Sequence, residues 1–518
     1  MSNPSSELPP RSPLALVLLC AIIAWSACFA IFVVAQKCWI DDSFISFRYA
    51  RNFVADHGLV FNAGDPVEGY TNFLWTIVTS IGLSLGFVAM PFAQAMGLVA
   101  QAVTLWCVYE IGRGAGHRGL RPLIAPFFLG TSFAFLAYPM TGMETSFFTM
   151  LLTIGFLAMQ RKVYQRTVGG VLLGVSLFAL GTARFDGFGP VILLLSYPLF
   201  FGGKARSFKS FLAPVGVFLV AMLAYNLWRV SFYPTGLPNT FHAKTTFSFD
   251  RVLIGLDYLK EFYLGKDGEQ GEGLVVFSLA LLPFLALRAG STARFLGWVV
   301  LGQIGYVAIV GGDWMFHYRF LMHVLPLMFL LMAEALILIG DAAAKHIPAP
   351  RVFGALGVIL LVWLQSLPFE KHLEFEEIEG PFFKPHDAEL IGKYLQANYP
   401  PEPLVAIEWG GIIPNDIENE VLDTWGLTDH EFASHPDLFK TVWGTVVGPR
   451  LLAGRKPKLI ACNARLLPTE AEARKSVLPG GPNHYRFYPQ MATPEMGFEW
   501  KFFEVAPNAW WPALVAIQ

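Results

Sequence analysis

Hydrophobic residues along this chain come in long runs rather than in alternation with polar ones. Apolar runs cover 13–35, 91–112, 122–140, 146–160, 168–183, 188–203, 211–230, 273–287, 295–311, 320–340 and 352–367. A helix needs about 20 apolar residues to cross the hydrocarbon of a bilayer. The pattern therefore predicts a membrane all-α, multi-span protein with about eleven transmembrane helices, the shorter runs being completed by flanking polar residues. The first run is too long for a signal-peptide core and lacks a small-residue cleavage site, which predicts a retained span.

Short basic links at 113–121, 161–166, 204–209, 288–294 and 345–351 separate alternate runs. Lys and Arg mark the cytoplasmic side. All five links share that side only if the short apolar stretch 71–87 does not cross, so it reads as an interfacial or re-entrant helix. This parity puts the N-terminus inside and the C-terminus outside. The stretches 37–70, 141–145, 184–187, 231–272 and 312–319 then face outward. From about residue 368 hydropathy drops, and some 150 residues follow without a span, a length suited to one small domain. Short apolar runs at 404–407, 420–422, 458–462 and 498–505 alternate there with polar stretches, which predicts a small α/β extracytoplasmic domain. The expected organisation is a membrane module over 1–367, with outer loops 37–90 and 231–272, and an outer domain over 368–518 that positions the acceptor.

Composition agrees. Of 518 residues, 54% are hydrophobic and 15% charged, where a soluble domain carries about a quarter charged. Mean hydropathy is +0.49. A soluble enzyme and a disordered chain are excluded. A net charge of −2 gives no support for nucleic-acid binding. The five cysteines show no paired spacing, so free thiols are expected rather than a disulfide framework or a zinc site.

The candidate chemistry clusters on the outer stretches. Asp41 and Asp42 are adjacent where the first span leaves the membrane. Neighbouring acids near low dielectric are costly unless paired, cation-bound or sharing a proton. A helix cap explains Asp42, but not both acids. As a pair they suit a general base for an acceptor hydroxyl, or a partner for a developing oxocarbenium. Arg48 sits in the helix that follows. Glu68, Tyr70 and Asn72 are polar groups entering an apolar helix, or else a solvated loop tip. Glu144 is either a cavity residue or a helix-start charge facing the dipole. Arg184 either pairs with Asp186 or offers its planar fork to phosphate. Asn239, His242 and Lys244 lie in the longest outer loop. Asp313, Trp314, His317 and Arg319 form a denser group, of which aromatic belting explains only the Trp and a nearby Tyr. In the outer domain, Glu408 and the segment from Asp423 to Asp429 each follow a strand-like run. No phosphate-binding glycine loop, zinc spacing or nucleophile elbow is present, so an activated substrate is better sought on a lipid carrier. A lipid-linked-sugar flippase is the rival reading; it would spread ionisable residues through mid-membrane depth.

This constellation resembles membrane glycosyltransferases of the GT-C fold. More closely, Asp41-Asp42-Ser43-Phe44-Ile45-Ser46-Phe47-Arg48-Tyr49, Glu68-Gly69-Tyr70-Thr71-Asn72, Asn239-Thr240-Phe241-His242-Ala243-Lys244, Gly311-Gly312-Asp313-Trp314 and Asp423-Thr424-Trp425-Gly426-Leu427-Thr428-Asp429 resemble the terminal β-(1→2) arabinofuranosyltransferase family. The resemblance implies catalytic roles for Asp41 and Asp42, and a polyprenyl-phosphate-linked arabinofuranose donor with its phosphate near Lys244 and Arg319. It further implies a cell-envelope glycan acceptor on the outer face of a bacterial cytoplasmic membrane. Other donor sugars, and lipopolysaccharide or pilin acceptors, stay open. So do a divalent cation and the choice between inversion and retention. His242 stands where the family has Tyr, and Phe185 where Pro is usual.

Overall fold

In the computed structural model the described residues are 11–34, 39–200, 208–240, 249–265, 291–313, 315–345, 384–401, 404–408, 410–434, 439–440, 445–446, 449–462, 465–478 and 491–517. The chain forms two compact units. The first comprises Met1–Cys38, Ala93–Tyr225 and Phe247–Glu374; the second comprises Trp39–Phe92, Asn226–Thr246 and Phe375–Gln518.

Among the described residues, five helices are long and apolar enough to cross a membrane: Pro13–Phe32, Ala89–Gly114, Lys209–Phe232, Ser291–Val310 and Leu325–Ala343. They match five of the expected runs, and the chain is a multi-pass membrane protein. The run expected as one span over 122–140 is instead two helices, Arg121–Gly130 and Phe133–Met140, bent by 69°. The break has a local cause. Thr131 turns its hydroxyl back onto the Phe127 and Phe128 carbonyls, and Ser132 adopts extended backbone. Side-chain oxygens that compete for backbone partners end helices in this way. The runs at 146–160, 168–183 and 188–203 appear as the shorter apolar helices Thr145–Gln160, Thr167–Ala183 and Phe185–Leu199. The runs at 273–287 and 352–367 lie outside the described residues.

In the first unit, small residues let helices approach. Gly170 and Gly174 face Ala213, Pro214 and Val217, and a Cβ at Gly174 would stand 2.7 Å from the Pro214 carbonyl oxygen. Lipid tails give no hydrophobic drive between helices, so close backbone packing of this kind carries much of the association.

The second unit is organised by a mixed sheet. Its strands are β1 (Val405–Ile407), β2 (Val421–Asp423), β5 (Leu459–Ala461), β6 (Phe498–Ala506) and β7 (Ala509–Ala516), in the order β2-β1-β5-β7-β6. A separate hairpin pairs β3 (Phe439–Lys440) with β4 (Thr445–Val446). β1 is parallel to both β2 and β5, and β7 runs antiparallel to β5 and β6. The three parallel strands are buried throughout, as parallel strands covered on both faces must be. Ala406, Leu422, Phe432, Leu452, Ile460, Met491 and Leu514 share the core. The four expected strands are all present, which confirms the α/β domain; β7 was not anticipated.

The same unit takes in two helices from the first loop. Asp41–Val54 packs against both Phe73–Ser84 and Ile412–Asp416. Phe73–Ser84 has 12 residues. At 1.5 Å per residue it spans about 18 Å, well short of a hydrocarbon core, in keeping with a helix that does not cross.

Candidate active site

The short parallel strands place their carboxyl ends together, which is where open α/β sheets bind ligands. β1 runs out into Glu408, Gly410 and Gly411, and β2 ends on Asp423. Asp41 meets this edge. Its Oδ2 accepts from the Gly411 N–H at 2.9 Å and its Oδ1 from the Ile412 N–H at 2.8 Å. Gly411 has no alternative residue here, because a Cβ would collide with the Asp41 backbone carbonyl. Asp41 is 2% exposed, whereas Asp42 is only partly buried.

Burial pushes the Asp41 carboxyl up to about 7, with Asp42 and Asp423 adding repulsion; the Ile412 and Gly411 N–H groups pull the other way. Burial likewise raises Asp423 to about 6 and Glu408 to about 8. Asp423 is held by the N–H groups of Trp425 and Thr428. The site therefore carries carboxyls that exchange protons near neutral pH, the range suited to general acid–base work. Among the described residues no three His, Cys, Asp or Glu side chains gather closely enough to hold a metal ion.

The other first-loop candidates fasten this edge in place. Arg48 donates to the carbonyls of Pro414, Ile417, Asn419 and Phe61. Tyr49 donates to the Val67 carbonyl and accepts from the Gly69 N–H. Glu68 forms a buried ion pair with Arg229 at 2.6 Å. The Tyr70 and Tyr233 hydroxyls lie 3.1 Å apart, and Asn72 Oδ1 accepts from Ser46. Asn239 donates its amide to the Gly426 and Asp429 carbonyls, and its own N–H to the Glu68 carbonyl. Asp429 caps the helix His430–Ser434 through the Phe432 N–H. Arg229 went unnoticed in the sequence, although a lone arginine ending an apolar run is a signal in itself.

The first unit holds a second polar group. Arg184 uses all three nitrogens on carboxylates: Nε and Nη2 on Asp186, Nη1 on Glu144 at 2.5 Å. It thus pairs with Asp186, as one of the two sequence readings had it, and Glu144 joins them at the start of Thr145–Gln160. Arg319 pairs with Asp313. His317 has left-handed backbone and packs against Phe133. Trp314, His242 and Lys244 lie outside the described residues.

Fold and site together define a class, the GT-C membrane fold with an appended α/β domain. ArnT from Cupriavidus metallidurans bound to undecaprenyl phosphate superposes with a TM-score of 0.61 at 14% identity, covering 98% of each chain. Its apo structure gives 0.59 at 15% identity, covering 97% of each. In sequence, the chain is similar to the terminal β-(1→2)-arabinofuranosyltransferase of Mycobacterium tuberculosis. The two are 24% identical over 252 residues, which are 44% of this chain but only 38% of that protein's length. A family model described as a domain of unknown function, DUF8728, matches residues 377–503, the bulk of the α/β domain.

Proposed function

We propose that this protein is a glycosyltransferase that moves a sugar from a polyprenyl-phosphate carrier to an acceptor hydroxyl. The donor sugar we assign first is arabinofuranose and the acceptor a cell-envelope glycan, on the outer face of a bacterial cytoplasmic membrane. Asp41 carries the reading. It is a buried carboxylate with both oxygens oriented by backbone N–H groups and a proton affinity tuned by burial to about 7. Held in this orientation, the ionised Asp41 is suited to take the acceptor proton as that oxygen attacks the anomeric carbon. The leaving lipid phosphate departs as an anion that needs little acid help. Asp42, more open and next in sequence, is suited to orient the acceptor or to offset positive charge developing on the sugar. The arabinose assignment draws support from the likeness to the mycobacterial transferase, and the carrier class from the undecaprenyl phosphate bound by ArnT.

The test is transfer from radiolabelled polyprenyl-phosphoryl-arabinofuranose to short glycans by the full chain in nanodiscs. Wild type should turn over, Asp41→Asn should fall by about 100-fold or more, and Asp42→Asn should lose activity while keeping its melting temperature. Turnover only with a different prenyl-phosphate sugar would replace arabinose and keep the enzyme. No transfer from any such donor, with flipping of the lipid across the bilayer, would install the transporter reading instead.

A further inference from the structure

Three arginines of the first unit converge on a single carboxylate that the proposed chemistry does not use. Glu110 Oε1 accepts from Arg11 Nε at 3.1 Å and from Arg113 Nη1 at 2.8 Å. Its Oε2 accepts from Arg161 Nη2 at 2.9 Å. Arg11 stands just before Ser12, the cap of the helix Pro13–Phe29. Arg113 lies in the last turn of Ala89–Gly114, and Arg161 follows the last residue of Thr145–Gln160. Three apolar helices thus end together, and Arg113 and Arg161 belong to the basic links at 113–121 and 161–166.

Arginines at helix ends are expected on topological grounds alone. Convergence on one acid is not. Arg121, in the same link as Arg113, has a carboxylate of its own in Asp341. The charged neighbours of Arg161 are Glu110, Arg113 and Arg11. Even with Arg113 matched wholly to Glu110, Arg11 and Arg161 have no second carboxylate among the described residues. The carbonyl ends of two helices and the amide end of a third meet here. Their partial charges sum to about half a negative charge, too little to balance two guanidiniums.

The surplus is within reach of a ligand. The Arg11 side chain is 48% exposed and that of Arg161 20%. Arg11 donates to Glu110 through Nε only, so its two terminal nitrogens have no partner among the described residues. That edge of the guanidinium is the one that matches two oxygens of a phosphate. Arg11 also rests 5.2 Å from the partly exposed ring of Trp106, and indole rings favour the headgroup level of a bilayer. Basic sites between the ends of membrane helices suit anionic headgroups.

We infer that Arg11 and Arg161, held by Glu110 and flanked by Trp106, bind the phosphate of an anionic phospholipid headgroup. The lipid would tie the first helix to the ends of Ala89–Gly114 and Thr145–Gln160. The inference needs only a multi-pass membrane protein, and it stands apart from the sugar chemistry.

The experiment places the full chain in nanodiscs of phosphatidylcholine mixed with phosphatidylglycerol. The readout is the ratio of the two lipids that stay bound after transfer into detergent. Wild type should be enriched in phosphatidylglycerol, and Arg11→Gln combined with Arg161→Gln should lower that enrichment by about tenfold or more. Arg166→Gln, which removes an exposed arginine of the same basic link, should leave it unchanged. An equal loss from Arg166→Gln would mean diffuse attraction by the whole basic face and overturn the site, as would no enrichment in wild type. Melting temperatures in phosphatidylcholine alone control for folding. If the double variant does not fold, the half-exposed Arg11→Gln alone should lose about fivefold, and no loss would overturn the inference. Inorganic phosphate raising the melting temperature in detergent as much as phosphatidylglycerol does would make this a site for free phosphate instead.

Discussion

At the scale of single residues, Asp41 shows how burial and orientation together make a reactive group. A carboxylate this buried resists ionising, while two N–H donors favour the ion; burial is the stronger influence, and the balance falls near 7. If the ionised form takes the acceptor proton, turnover should rise as pH is raised through about 7 and level off above it. A rate profile flat from pH 5 to 8 would remove Asp41 from that role. Asp42 is legible in the sequence as its twin, yet the two differ in exposure and partners. No local pattern distinguishes them, because the groups that set Asp41 apart come from residues some 370 positions away.

At the scale of elements, the helix Asp41–Val54 is held to the α/β domain by its basic side chains. Arg48 satisfies three backbone carbonyls in the segment 414–419 and that of Phe61, and Arg51 donates to the Asn415 carbonyl. In sequence Arg48 is only a charge in the helix that follows the two acids, whereas in the fold Arg48 and Arg51 are anchors. Lysine has one charged nitrogen and no planar fork, so Arg48→Lys should leave several buried carbonyls unpaired and cost about 2–4 kcal/mol. The readout is the melting temperature, with faster proteolysis of the α/β domain. Gly411→Ala should be comparably harmful through its clash with the Asp41 carbonyl, at about 1–3 kcal/mol, and should lower turnover because Asp41 loses its N–H donors. Retained turnover with a lowered melting temperature would separate support of the fold from support of the site. Truncating Glu68→Ala strands Arg229 in a buried setting, a loss of about 3–5 kcal/mol. Adding Arg229→Met to Glu68→Ala should recover much of the stability; no recovery would argue against the ion pair as the cause.

At the scale of the whole molecule, burial of acids gives the protein a pH signature. Asp41, Asp416, Asp423 and Glu408 all have their proton affinity raised in the folded state, to about 7, 6, 6 and 8. Between about pH 4 and 8 these four groups therefore hold more protons in the folded state than in the unfolded chain. Stability contributed by these groups is present at the acid end and lost as pH rises through their folded values. Melting temperature should fall from pH 5 to pH 8, and Asp41→Asn combined with Glu408→Gln should flatten the slope. A rise over that interval would contradict the burial of these groups.

Much of the architecture was determined by the sequence alone. Apolar runs set the spans because the bilayer demands about 20 residues in a row, and the short strands at 405–407, 421–423, 459–461 and 498–506 are visible as apolar islands in a polar stretch. Residue types at 41–49, 68–72 and 423–429 carried the family resemblance. The tertiary structure alone decided which groups are tuned, clamped or paired. Thr131 and Ser132 broke a run that composition reads as continuous. Arg229 became the partner of Glu68, and Arg48 a clamp rather than a surface charge. His323 and Arg184 met on the rings of Phe148 and Phe320. Hydropathy is a sum over neighbours in the chain, and so it can be read locally. Proton affinity, ion pairing and hydrogen bonding depend on neighbours in space, which lie 40 residues apart for Arg184 and Glu144 and about 370 apart for Asp41 and its N–H donors.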